Sequence, residues 1–154
     1  MSTHETAVPR PMIPGLAGLY RSLAPYSYSF MRFCVGAMLV PHGYAKLFLG
    51  GAVGLANADF VKWGLPAPLA WAYWIALLEF FGGILLAIGL LTRPVAFLIA
   101  MEMAVAVFAV HWPNGFFWTA KGFEYPLLWG LLALAIAFRG GDRLSVDRAI
   151  GREI

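Results

Sequence analysis

Ionisable side chains inside apolar runs are costly in lipid, so the few that occur there serve structure or chemistry. This chain has a short set of them: His42, Lys46, Glu79 and Glu102, with His111 and Glu124 at the ends of apolar runs. His, Lys and Glu together supply donors for carbonyl oxygens and groups that exchange protons, which is what a quinone headgroup needs. His42 and Lys46 are four residues apart and on a helix face the same neighbour. In the quinone reading these two and Glu79 line a headgroup pocket, with Phe117 and Trp118 of a downstream aromatic segment stacking over it. In the structural reading Glu79 pairs with Lys46 to fix helix register, and His42 is hydrogen-bonded nearby. Glu102 joins them or faces another partner. The spacing leaves these readings open. It argues against a metal site, because no Glu-x-x-His or comparable ligand motif is present. Cys34, the single cysteine, lies among Phe33, Val35 and Gly36, where it reads as an inert apolar thiol.

The elements that must position these residues follow from composition. Of the 154 residues, 61% are hydrophobic and only 12% charged, and the mean hydropathy is +0.75. A soluble domain carries about twice that share of charge. The composition therefore excludes an ordinary soluble enzyme, a disordered chain and a nucleic-acid-binding module. What remains is an all-α integral membrane protein with the lipid bilayer as its surroundings. Four apolar stretches, 30–49, 69–91, 94–112 and 125–138, predict a four-helix transmembrane bundle. The fourth is the weakest, since 14 residues rise only about 21 Å against a hydrocarbon core of about 30 Å. Pro94 and Pro126 suit first helical turns, and Gly140-Gly141 suits a helix end. A tight turn is predicted at Thr92-Arg93-Pro94. Asn57 is predicted to cap a short interfacial helix over 58–63. The domain reading is a flexible N-terminal tail over 1–25, a membrane domain over 26–139 and a basic cytoplasmic tail over 140–154.

Charge sets the orientation. With four spans, Arg10, Arg21, Arg93, Arg139, Arg143, Arg148 and Arg152 share one side, with Arg32 at its edge. The other side holds only Lys46, Lys62 and Lys121. The positive-inside rule then puts both termini in the cytoplasm. Gly82, Gly83, Ala87 and Gly89 give the second span a small-residue surface suited to close helix packing.

Three groups of residues carry a family resemblance. The first is Arg32 and Gly36 leading to His42-Gly43-Tyr44-Ala45-Lys46-Leu47. The second is Glu79-x-x-Gly82-Gly83-x-Leu85-Leu86-x-x-Gly89-Leu90-x-Thr92-Arg93, followed by Met103-Ala104. The third is Glu124-Tyr125-Pro126-Leu127-Leu128 with the tail Gly140-Gly141-Asp142-Arg143-Leu144-Ser145-Val146-Asp147. Over about 32–147 the chain resembles the DoxX family of small bacterial inner-membrane proteins. The resemblance implies a four-helix bundle in the bacterial inner membrane and membership of quinone-linked redox assemblies. That family takes its name from a small subunit of a terminal quinol oxidase, and relatives are linked to thiosulfate:quinone oxidoreduction. Lys46, Glu79 and Arg93 match its recurrent polar positions, with Arg93, Glu102 and Glu124 read as structural polar residues. The expectation is an accessory subunit of a quinone-linked or other redox complex, with quinone as the one cofactor the residues suggest. The isolated chain is expected not to be an enzyme by itself; if it is one, it is a quinone-linked oxidoreductase subunit. Partners are expected to be other subunits of such a complex or further copies of the chain. A non-catalytic scaffold anchoring soluble redox enzymes and a small transporter or proton-conducting bundle are the alternatives.

Overall fold

Prolines and glycines set the helix boundaries. The computed structural model describes residues 11–153. In it α1 spans Ala17–Leu23, α2 Ser27–Phe48, α3 Gly51–Phe60, α4 Pro68–Ile88, α5 Thr92–Asn114, α6 Glu124–Arg139 and α7 Val146–Ala149. No strand occurs among the described residues. Pro68, Pro94 and Pro126 all fall in first turns, where a missing N–H breaks no helical hydrogen bond. Pro41 lies inside α2 and removes one rung of its ladder.

Two boundaries differ from expectation. The chain bends by 85° between α2 and α3, at Gly50 in the left-handed conformation. That glycine lets a helix restart at once, so α3 begins at Gly51 and Asn57 lies exposed inside it rather than capping a helix over 58–63. The tight turn between α4 and α5 falls at Gly89–Leu91, and Thr92, Arg93 and Pro94 already form the first turn of α5. Of the leader over 1–25, residues 1–10 lie outside the described residues, and α1 occupies part of the remainder. Residues 140–153 fold back on the helix ends and include α7; Ile154 is not described.

A shared core draws Val35 and Leu39 from α2, Leu86 from α4, Val95, Ala96, Ile99 and Met103 from α5, and Ala133 and Ile136 from α6. A second cluster packs Ala52, Ala56 and Phe60 of α3 on Ala72 of α4. α2 and α4 approach most closely at Gly36, where an added Cβ would lie 2.5 Å from Ala87 N and Gly83 O. Small residues permit such backbone contact in lipid. α5 and α6 pack along their length, and Trp129 Nε1 of α6 donates to Val35 O of α2 at 3.2 Å.

α4 and α5 are each long and apolar enough to cross a membrane. The bent pair of α2 and α3 makes a third candidate if it counts as one span. At 16 residues α6 rises about 24 Å, shorter than the hydrocarbon core. The apolar side chains that these helices turn outward, such as Phe30, Phe108, Leu131 and Phe138, are strongly exposed on the surface of the protein.

Candidate functional site

Glu79 sits about 16 Å along α4, and Glu102 about 15 Å along α5, so both lie near the middle of the two helices that are long and apolar enough to cross a membrane. A wide turn over Leu78–Gly82, with i→i+5 hydrogen bonds, carries Glu79. Such turns rotate a side chain out of the regular helical register and recur at functional sites. Glu79 is 5% exposed and forms an ion pair with Lys46 Nζ, which reaches across from the last turn of α2. Glu102 lies against Glu79 and within the field of Lys46. Its Oε2 is buried without a hydrogen-bond partner. Three helices thus bring one ammonium and two carboxyl groups together in an apolar interior. The set is electrically neutral only when one carboxyl carries a proton.

The other residues expected at the site are placed as follows. His42 is exposed on α2 one turn before Lys46 and is not part of the ion pair. Gly43 between them abuts Phe80, where an added Cβ would come within 2.7 Å of Phe80 Cα. Phe80 in turn meets Tyr44 and Phe48 with ring centroids 6.5 and 5.9 Å away. These three rings form an aromatic cluster between α2 and α4. Phe117 and Trp118, expected as the stacking cap, belong to the loop between α5 and α6, where Trp118 stacks on Tyr125 at 5.6 Å. Glu124 holds that loop by accepting from Trp118 N–H at 3.1 Å, and His111 Nδ1 lies 2.7 Å from Lys121 O. Cys34 is half-buried.

A second polar constellation, of which only Arg93 is singled out from the sequence as a structural polar residue, clamps the turn between α4 and α5. Arg32 is 1% exposed. Its Nη1 donates to Leu86 O and Ala87 O at 2.6 and 2.7 Å, and its Nη2 to Leu144 O at 2.9 Å. A cation thereby satisfies the last carbonyls of α4, where the helix dipole favours positive charge. On the other side of the turn, Asp147 accepts from Leu91 N–H at 2.8 Å, Thr92 N–H at 2.9 Å and Thr92 Oγ1 at 2.6 Å. This caps the amino end of α5. Burial pushes the Asp147 carboxyl up, but the Thr92 and Leu91 hydrogen bonds and the nearby Arg32 charge hold it below the usual carboxylate range. Leu91 adopts a left-handed conformation, φ 52°, that a branched residue enters only at a cost, and the Asp147 bond secures it. Gly89 admits no side chain, since a Cβ would lie 2.6 Å from Arg32 Nη1. Asp142 completes the clamp by meeting Ser29 and, at 3.8 Å, Arg32. Arg93 bonds the last carbonyls of α6, Phe138 O at 2.6 Å and Arg139 O at 3.1 Å. The sequence signal for this clamp was an arginine in the first apolar stretch together with the acidic residues of the tail.

Described residues that are helical without strands, two to three helices long and apolar enough to cross a membrane, and an ion cluster in their interior define a membrane-embedded helical protein. A family model described as DoxX matches residues 28–112, which include Arg32, Lys46, Glu79, Arg93 and Glu102. A Haemophilus influenzae protein named only as uncharacterized is 36% identical over 126 residues, covering 80% of this chain and 90% of its own. A Bacillus subtilis protein named "Putative oxidoreductase CatD" is 33% identical over 117 residues, covering 76% of this chain and 81% of its own. No solved structure matches. The chain belongs to the DoxX family.

Proposed function

We propose that the protein is a membrane-embedded accessory subunit of a redox assembly, and that the Lys46–Glu79–Glu102 cluster is where it meets a quinone headgroup. The observation that carries this reading is a second buried carboxyl, Glu102, set against Glu79 and within the field of the Lys46 ammonium. A purely structural ion pair needs no third ionisable group, and each such group is costly in an apolar interior. The similarity to a protein named as an oxidoreductase supports the redox setting. A bound quinone supplies electron and proton carriage. The chain contributes a donor at Lys46 Nζ, a proton held between Glu79 and Glu102, and Tyr44, Phe48 and Phe80 as flat apolar surfaces. His42, exposed on the same helix, is a further donor on the lipid-accessible side. The expected test result is that a short-chain quinone raises the melting temperature of the detergent-purified protein, because a ligand that binds the native state stabilises it. No shift at saturating quinone in a folded sample argues against the site.

In this reading α2, α4, α5 and α6 are four spans in the bacterial inner membrane, with both termini cytoplasmic. The arginine excess at one end supports that orientation, and local thinning accommodates the short α6. Reporter fusions after Leu55, Arg93, Trp118 and Ile154 are expected to alternate outside, inside, outside, inside. A translocated C-terminus would overturn the four-span reading.

A further inference from the structure

The acidic groups at the arginine-rich end are engaged within the fold. Asp142 meets Ser29 and Arg32, Asp147 caps α5, and Glu153 lies 3.4 Å from Arg93 Nε. Arg139, Arg143 and Arg148 have no carboxylate partner among the described residues. Two of these guanidinium groups are nevertheless held in place by Tyr28 of α2 and by Tyr26 just before it. Arg139 lies over Tyr28 at 4.2 Å from the ring centroid, and Arg143 over Tyr26 at 5.0 Å. Cation–π contact fixes a guanidinium in place and leaves its N–H groups free to donate. Beside them opens a hollow of about 520 Å³ lined by Tyr26, Arg143, Leu144 and Arg148.

We propose that this hollow binds the phosphodiester headgroup of an anionic phospholipid. Two arginines without a carboxylate partner among the described residues, Arg143 and Arg148, match a phosphate in charge and in donor geometry. The surroundings select a lipid as the source of that phosphate. Leu144 is exposed at the hollow itself, and Phe30, one turn along α2 from Tyr26, turns outward at 69% exposure. A headgroup seated between Arg143 and Arg148 places its acyl chains along that apolar side of α2. Basic pockets at the ends of membrane helices recognise anionic headgroups in this way.

The test uses the full chain, delipidated in detergent, titrated with phosphatidylglycerol or phosphatidylcholine and followed by native mass spectrometry. The wild type is expected to retain phosphatidylglycerol in preference to phosphatidylcholine. Arg143→Gln with Arg148→Gln is expected to weaken that retention about 30-fold, the equivalent of roughly 1 kcal/mol per arginine. Arg152→Gln lies in the adjoining hollow, which shares Arg148 but adds the carboxylates of Asp142, Asp147 and Glu153, and is expected to leave that retention unchanged. Both arginines are exposed, and an unchanged melting temperature shows that the double variant folds. Equal retention by wild type and double variant overturns the proposal. So does displacement of the lipid by millimolar inorganic phosphate, which marks a soluble phosphate site. Loss of a co-purifying soluble protein from the double variant, with lipid retention unchanged, assigns the arginines to a protein partner and equally overturns it.

Discussion

Lys46→Met is expected to lower the melting temperature of the purified protein by about 10 °C, because it leaves Glu79 and Glu102 facing each other without a cation. Breaking a buried ion pair from one side costs about 3–5 kcal/mol, and a chain of this size loses about 2–4 °C per kcal/mol. Lys46 is partly open at its tip, with a side-chain exposure of 23%, whereas that of Glu79 is 6%. The carboxyl therefore bears most of the loss. Glu79→Gln in the Lys46→Met background is expected to recover at least half of it, since the amide removes the charge that has lost its cation and can still donate to Glu102. Melting temperatures of the two single variants and the double variant form a double-mutant cycle. Additive losses would show that Lys46 and Glu79 are not coupled.

Arg32→Leu is expected to be as damaging, about 3–5 kcal/mol, and to act at the opposite end of the molecule. It strips the donor from Leu86 O, Ala87 O and Leu144 O in a site that admits almost no water. It also removes the cation facing Asp142. Because Arg32 joins α2 to both α4 and the C-terminal segment, the specific readout is limited proteolysis: residues 140–154 become cleavable under conditions that leave the wild type intact. Arg32→Lys is expected to be intermediate, as a single ammonium cannot reach carbonyls on two segments. Wild-type protease resistance and melting in Arg32→Leu would contradict the role of the clamp.

Much of the fold is legible in hydropathy and helix punctuation. The stretches 69–91 and 94–112 become α4 and α5 to within a few residues, and the weak fourth stretch becomes the short α6. The Lys46–Glu79 pair is also legible, because a mid-span carboxylate must find a cation and few are at hand. Three features are not. The restart of α3 at Gly51 depends on Gly50 taking a left-handed backbone, which the residue type permits but does not require. His42 and Lys46 share a helix face by spacing, yet the close approach at Gly43 and the reach of the lysine stem separate them: Lys46 turns to Glu79 while His42 stays exposed. The Arg32–Asp142–Asp147 clamp joins residues more than 50 positions apart through carbonyls and N–H groups at helix ends, which side-chain patterning does not register. In charge counting, Arg32 reads only as one more basic residue at the edge of the inner side.

The central claim is that the Lys46–Glu79–Glu102 cluster receives a quinone headgroup, and the thermal shift of the Lys46→Met/Glu79→Gln double variant tests it most directly. That variant removes the ion pair while recovering part of the stability, so a lost shift cannot be attributed to unfolding. The measurement is the melting temperature of wild type and double variant with and without a saturating short-chain quinone, on the purified chain and on the assembly that co-purifies with it. Wild type is expected to gain about 5 °C or more at 100-fold excess over the dissociation constant, and the double variant to gain nothing. An equal shift in both would place the quinone elsewhere, and no shift in either preparation would contradict the claim outright.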